Sequence, residues 1–418
     1  MAVLVPHPFL CSSSCPCALL ADRLPLHPFN HPGLAQRSNA RGPVDDPMTM
    51  SVYKPFAQHP FIERLHAAES LFQEGQCLYG EQQYSEAAKS WGQAALLQHG
   101  ASHAFLSNMM FDGRPDVAKD EKRAFDLAAA GAAMGCAHSK GAFGRCLVYG
   151  TGAAKDVGRG LALARESADA GSGFGQFVLG TCYDTGCGVA EDSAEALRWH
   201  RLAAAQGHAA AQCNLGGMFG NGDGVAQDYT EAVRWYRLAA EQGDALAQFC
   251  LGVVFQKGHG VTLDYAEAVR WYRIAAAQGY ADAQYNLGAR FRVGHGVPQD
   301  DAESVRWYRL AAEQGDVDAQ LYLGIIFEKG QGVPQDDTEA LRWYQLAAAQ
   351  GHPCATTALT RLGTIIHCMD SDCPKTSVLM HKDIQDLFNT RFAAGCSMIQ
   401  SPNDVGRAHS SVKSLTSV

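Results

Sequence analysis

The sequence predicts an all-α stack of helical hairpins, on three observations. Trp199, Trp235, Trp271, Trp307 and Trp343 recur every 36 residues, an interval that marks stacked supersecondary units rather than one globular core. Within each interval, apolar residues fall at helical spacing twice. Between the two runs lies a paired-glycine turn such as Gly222-Asp-Gly224. An array of this kind grows in one dimension, so the 418 residues need not divide into conventional domains.

The first helix of a unit is seen in Ala211, Leu215 and Phe219, a four-residue spacing with Gln212 and Gly216 beside it. A mid-helix glycine costs about 1 kcal/mol against alanine, so the recurrence of Gly216 as Gly252, Gly288 and Gly324 implies close approach of a neighbouring helix. The paired glycines supply positive φ at the turn. The second helix has a start signal in every strong unit. Asp192, Asp228, Asp264, Asp300 and Asp336 each stand three residues before Glu195, Glu231, Glu267, Glu303 and Glu339. That is capping-box spacing with Asp as N-cap, and both acids suit the positive end of the helix dipole. Ala232, Trp235 or Tyr236, and Ala239 form the buried stripe, and Gly243 sits where a left-handed glycine ends a helix. Two such helices cannot bury both faces alone, so Trp and Leu must pack on adjoining units.

The same phrases extend backwards in weaker form. Trp91 lies three periods before Trp199, Leu127 and Leu163 stand at the matching positions, and Gly144 and Gly180 continue the glycine series. We therefore divide the chain into a Pro- and Ser-rich segment over 1–60 expected to be disordered, degenerate repeats over 61–175, and five strong repeats with a capping half repeat over 176–362. A mostly disordered tail over 363–418 follows, with a short apolar helix expected around Ile384–Phe392. The first segment loosely resembles an organelle transit peptide, or is an extension ahead of a start at Met48 or Met50.

Composition narrows the function. A net charge of −9 from 34 basic and 43 acidic residues, with no dense Lys/Arg cluster, argues against nucleic acid. No stretch approaches the roughly 18 consecutive apolar residues of a membrane helix. The 14 cysteines fall at mostly different phases of the repeat, unlike a scaffold with one disulfide per unit. That favours thiols in a reducing cytoplasm, with organelle targeting by the first segment as the other reading.

The phrases Ala-x-Ala-Gln-x-x-Leu-Gly-x-x-Phe, Gly-x-Gly-Val and Glu-Ala-x-Arg-Trp-Tyr-x-x-Ala-Ala-x-Gln-Gly resemble the Sel-one-like repeat (SLR), a relative of the tetratricopeptide repeat. The resemblance implies a right-handed α/α superhelical solenoid of 36-residue helix-turn-helix repeats that holds protein partners as an adaptor or scaffold. It also implies two alternatives: a regulatory subunit or activator of a separate enzyme, and kinship with cysteine-rich secreted relatives proposed to act on β-lactams. The paired Cys and Ser-x-x-Lys that the last would need are not in this sequence.

In related solenoids first helices line the concave face. On a helical wheel, positions opposite the apolar stripe give Phe249, Val253, Tyr285, Leu321, Tyr322 and Ile325, a ladder expected to bind a protein or peptide. The alternative, that the phase is shifted by one residue and these side chains pack on the next unit, stays open. Arg198, Arg234, Arg270, Arg306 and Arg342 each follow a capping Glu by three residues, which predicts Glu–Arg pairs on a solvated face rather than a phosphate comb.

Catalytic signatures are absent. The Gly-x-Gly strings do not continue to a Walker Lys-Ser/Thr, and there is no His-Glu-x-x-His, Gly-x-Ser-x-Gly or Cys-x-x-Cys. His259 and His295 recur as one loop position. His367, Cys368, Cys373 and His381 match no familiar zinc spacing. We expect no catalytic residue, cofactor or metal. Thr416 and Val418 end the chain in the form that PDZ domains capture by strand addition.

Overall fold

The computed structural model describes residues 60–114 and 116–370. Two compact units divide the chain, 1–208 and 209–418. The first holds α1 (Pro60–Gly80), α2 (Tyr84–Leu96), α3 (Gly100–Asp112), α4 (Glu121–Ala133), α5 (Ala137–Tyr149), α6 (Val157–Asp169), α7 (Gly173–Thr185) and α8 (Ser193–Ala205). The second holds α9 (Ala209–Asn221), α10 (Tyr229–Glu241), α11 (Ala245–Lys257), α12 (Tyr265–Ala277), α13 (Ala281–Val293), α14 (Asp301–Glu313), α15 (Val317–Lys329), α16 (Asp337–Ala349) and α17 (Pro353–Asp370). Among the described residues there is no strand, and the fold is an all-α solenoid of helical hairpins. Odd-numbered helices open a hairpin and even-numbered helices close it. The Ile384–Phe392 helix, both terminal segments and the Thr416/Val418 terminus lie outside the described residues.

From α4 onward each second helix starts at an Asp. Asp192, Asp228, Asp264, Asp300 and Asp336 are N-caps whose carboxylates accept the N–H of the Glu three residues on, at 2.9–3.0 Å. Asp120 and Asp156 cap α4 and α6 in the same way, at 2.9 and 3.0 Å. The reciprocal half of a capping box is not used. The N–H of Asp228 goes to the carbonyl of Phe219 at 2.8 Å, and that of Asp264 to Phe255 at 2.9 Å. This fastens the second helix to the first and leaves the Glu side chain to other partners. At the far end Gly243 takes φ 85°, and the Asp244 N–H reaches the Ala239 carbonyl at 3.2 Å, the closure that satisfies the last carbonyls of a helix.

The recurring mid-helix glycine has a partner on its own hairpin, and it is the Tyr that follows the Trp. A Cβ added to Gly252 would stand 2.4 Å from the Tyr272 ring, and one on Gly324 2.4 Å from Tyr344. Tyr272, Tyr308 and Tyr344 are fully buried. The indoles do another job. Trp271 lies half-buried against a cluster containing Val233 and Leu251, and Trp307 against one containing Val269 and Leu287. Tyrosine therefore closes a hairpin, and tryptophan joins it to the hairpin before.

The recurring Gln in Ala-x-Ala-Gln is a further tie. Gln248, buried on α11, donates to the Ala240 carbonyl at 3.2 Å and accepts from Gln278 at 2.7 Å. Gln242–Gln212 and Gln314–Gln284 repeat the side-chain bond at 2.7 Å, and Gln350–Gln320 at 3.0 Å. A buried amide with both ends satisfied ties three helix termini together, where an unpaired one would be a liability.

Candidate functional site

The first-helix ladder is corrected by the structure. Phe249 is 2% exposed, Leu321 0% and Tyr322 6%, so these three belong to the core. Only Val253, Tyr285 and Ile325 are half-buried and reach the surface. A helical wheel assumes one buried stripe, but α11, α13 and α15 are each wedged between two second helices, their own and the preceding one. Phe249 meets the ring of Tyr272 on its own second helix at 5.9 Å. Tyr322 stacks on Tyr308 of the preceding second helix at 5.5 Å and 9°. Half of the ladder therefore packs into the core, on its own or the preceding second helix.

An apolar row that the sequence reading missed lies on the second helices. Leu238 is 38% exposed, Ile274 36%, Leu310 38% and Leu346 42%. They share one register of the repeat, and Leu202 holds the same register in the first unit. A single exposed Leu means nothing. A bulky aliphatic at the same outward register of successive helices is a stripe, and apolar stripes rimmed by polar groups are the usual mark of a protein interface. Here the rim is Arg237, Arg273 and Arg309, all exposed. The available signal was the invariance of Leu or Ile before the Ala-Ala pair, which reads as core until the neighbours are in place.

The other arginine row pairs as its spacing predicts. Arg198, Arg234, Arg270, Arg306 and Arg342 lie 3.0–3.4 Å from the Glu three residues before. Such exposed pairs neutralise the row and contribute a few tenths of a kcal/mol each. Two arginines on α13 do not follow this pattern. Arg290 is 2% exposed, in a register held elsewhere by Met218, Val254 and Ile326. Arg292 is half-buried, and its guanidinium carbon lies 4.6 Å from the centre of the Tyr322 ring. The rings of Tyr285, Tyr308 and Tyr322 surround it, with centroids 5.5–5.9 Å apart.

The first unit carries a cleft of about 780 Å³ lined by α2, α3, α4 and the turn between the last two, including Leu106, Met110 and Val117. Leu96 stands at its edge, 80% exposed.

Burial holds several cysteines, histidines and tyrosines in their neutral forms. Burial pushes the Cys182 thiol up to about 12, so it is no thiolate at neutral pH. Burial holds His200 down at about 3 and His138 at about 4. The loop histidines His259 and His295 stack on Tyr229 and Tyr265 at 4.5 and 4.7 Å, each closing over the preceding second helix. No group of three or more His, Cys, Asp or Glu is disposed to hold a metal among the described residues. No described helix is long and apolar enough to cross a membrane.

The Sel1 repeat family model matches seven segments, 100–136, 142–172, 173–208, 209–244, 245–280, 281–316 and 317–352. The chain belongs to the Sel1 repeat family. Two solved Sel1-type structures are similar to it. One is a protective antigen of uropathogenic Escherichia coli strains, described as having an SLR fold. It is 30% identical with a TM-score of 0.51, over 74% of this chain and 64% of that one. This chain thus spans just under two thirds of that protein's length. The other is a Sel1 repeat protein from Oxalobacter formigenes, 30% identical with a TM-score of 0.50, over 71% of this chain and 87% of that one. No curated protein matches. Sel1 repeat proteins in general act as protein-interaction scaffolds.

Proposed function

We propose that this Sel1 repeat protein is a non-catalytic adaptor that holds a protein partner against its second-helix face. The observation that carries the reading is the row Leu238, Ile274, Leu310 and Leu346, exposed in one register where the fold does not require apolar side chains. Burial of such a row contributes about 25 cal/mol per Å² removed from water, and the flanking arginines add electrostatic selection. Val253, Tyr285 and Ile325 offer a smaller first-helix surface for the same partner or another. A partner that is itself an enzyme would make the chain a regulatory subunit without changing this physics. Work in the cytoplasm is part of the proposal, supported by the scattered phases of the cysteines.

The test compares affinity capture by the full chain and by a Leu238→Lys, Ile274→Lys, Leu310→Lys variant, both checked for helicity by circular dichroism. Loss of a specific protein from the folded variant supports the interface. Capture of the same proteins by both would sink it.

A further inference from the structure

Helix α13 carries a second recognition element, and the next hairpin shows what completes it. In three successive hairpins one first-helix register faces the hydroxyl of the buried Tyr on the second helix. At Gln256 the side-chain oxygen accepts from Tyr272 at 2.8 Å. At Glu328 the carboxylate accepts from Tyr344 at 2.7 Å and pairs with Arg361 from the capping helix α17. At Arg292 the residue in that register can only donate. The Arg292 guanidinium lies beside the Tyr308 hydroxyl, yet the hydroxyl proton has no acceptor among the described residues, and neither does the Arg292 Nε–H.

The local charge points the same way. Arg290, two residues earlier on α13, is buried with its Nε and one terminal nitrogen unpaired among the described residues. Neither arginine pairs with a described carboxylate, although every Arg in the second-helix row does. Arg290 lies against the Tyr265 ring of the preceding second helix, 5.6 Å from its centre, so at the surface one cation, Arg292, and the Tyr308 phenol stand where Glu328 supplies a carboxylate in the following hairpin. Beside them Tyr285 and Ile325, both half-buried, give a ring and an aliphatic group for flanking residues.

We propose that Arg292 and Tyr308 form a binding site for a carboxylate side chain, Asp or Glu, of a peptide laid across α13 and α15. The ligand's carboxylate takes the place that Glu328 holds between Tyr344 and Arg361. Arg292, being half-buried, meets it first, and the hydroxyl beneath supplies the second hydrogen bond. A charge-assisted, partly desolvated pair of this kind discriminates acid from amide by about tenfold or more. This deepens the adaptor reading and rests on it.

The experiment uses the full chain and dye-labelled hexapeptide pools read by fluorescence polarisation. One pool, C-terminally amidated, fixes Glu at a central position among mixed Leu, Phe and Tyr. A second fixes Gln there, and a third has Gln there with a free C-terminal carboxylate. The expected result is binding of the Glu pool about tenfold tighter than the Gln pool. Arg292→Gln is expected to abolish that preference, and Tyr308→Phe to weaken it severalfold. Arg292→Gln places at this register the residue type found one repeat earlier as Gln256, whose side-chain oxygen accepts from Tyr272, and circular dichroism checks that the variant is folded. Equal binding of the Glu and Gln pools, or a preference that survives Arg292→Gln, overturns the site while leaving the adaptor reading intact. Binding of the free-carboxylate pool alone overturns the side-chain assignment. Absence of binding by every pool also overturns the site, and the capture experiment above then judges the adaptor reading separately.

Discussion

The two units build the same hairpin and hold it together differently. In 209–370 each hairpin closes with a tyrosine over a glycine, glutamine rungs brace it, and the first-helix glutamine ties it to the hairpin before, as Gln248 does to Ala240. In 60–208 the first helices themselves come close. A Cβ on Gly141 would stand 2.6 Å from the Gly175 backbone nitrogen, so α5 and α7 touch main chain to main chain. Ser139 bridges to the hairpin before by donating to the carbonyl of Gly100 at 2.8 Å, and Ser167 closes its own hairpin by donating to the carbonyl of Ala137 at 2.6 Å. Phe105 meets Phe174 at 5.2 Å, and Phe174 meets His138 and His208 at 5.7 and 5.4 Å. Where side chains are removed, backbones approach and aromatic rings span two repeats. Where tyrosine and glutamine recur, spacing is set by side chains.

Acid separates the units most widely. Burial lowers His138 to about 4, and His200 and His208 to about 3, from an ordinary 6.5. Below pH 6.5 the unfolded chain takes up protons that the folded chain refuses, so stability falls as pH falls, down to the folded values. The loss is about 1.4 kcal/mol per pH unit for each group. His200, fully buried, carries this most surely. In the second unit His259 and His352 are lowered too, but both are far less enclosed. Hydrogen exchange on the full chain, corrected for intrinsic rates, should show 60–208 losing protection between pH 6.5 and 4 before 209–370 does. Simultaneous loss would break the comparison. Alkali discriminates less. Tyr272, Tyr308 and Tyr344 are held protonated above the usual 10 by burial, but so is Tyr149 in the first unit.

Glycine substitutions come next in size. Gly141→Ala sets a methyl against backbone that cannot rotate away, and overpacking of that kind costs about 1–3 kcal/mol or more. Gly288→Ala is milder: its Cβ would stand 3.0 Å from the Tyr308 ring, which can tilt, and alanine returns about 1 kcal/mol of helix propensity. Thermal denaturation should show a marked loss for the first variant and a small one for the second. The reverse order would mean that the second unit is the tighter packed.

What could be read from the sequence follows the range of each interaction. The 36-residue period is a recurrence in the sequence itself, the Asp caps and the Glu–Arg pairs depend on residues three apart, and all are found where the spacing puts them. The choice between Trp235 and Tyr236 for the hairpin core needed the partner helix. Phe249, Leu321 and Tyr322 of the ladder were misplaced because a helix with two flanking helices keeps only a narrow free strip opposite its stripe, the strip that Val253, Tyr285 and Ile325 reach. The exposed Leu238 row was hidden for the converse reason, since its residue type signals burial and only its surroundings show otherwise. Arg292 was legible as a break in one register, but its meaning depends on which tyrosine lies beneath it.

The glutamine rungs give the smallest test, and it runs in both directions. Gln248→Ala removes the acceptor of Gln278 and the donor to Ala240, leaving two polar groups unpaired at a helix junction. The expected loss is about 1–3 kcal/mol, read as a shift in the urea midpoint with unchanged slope. The first unit has one rung, Gln206–Gln176 at 2.7 Å, and one repeat earlier the same registers hold Lys140 and Ala170. Lys140→Gln with Ala170→Gln would build the next rung, at the expense of an exposed Lys140–Glu166 pair at 2.8 Å. That pair contributes little in water, so a gain of about 0.5–1.5 kcal/mol is expected if the ends of α5 and α6 already have the spacing a rung needs. If they do not, the glutamines will not fit and the double variant will be neutral or worse. The sign of that change therefore reports whether a glycine-rich hairpin of the first unit keeps the helix spacing that side chains set in the second.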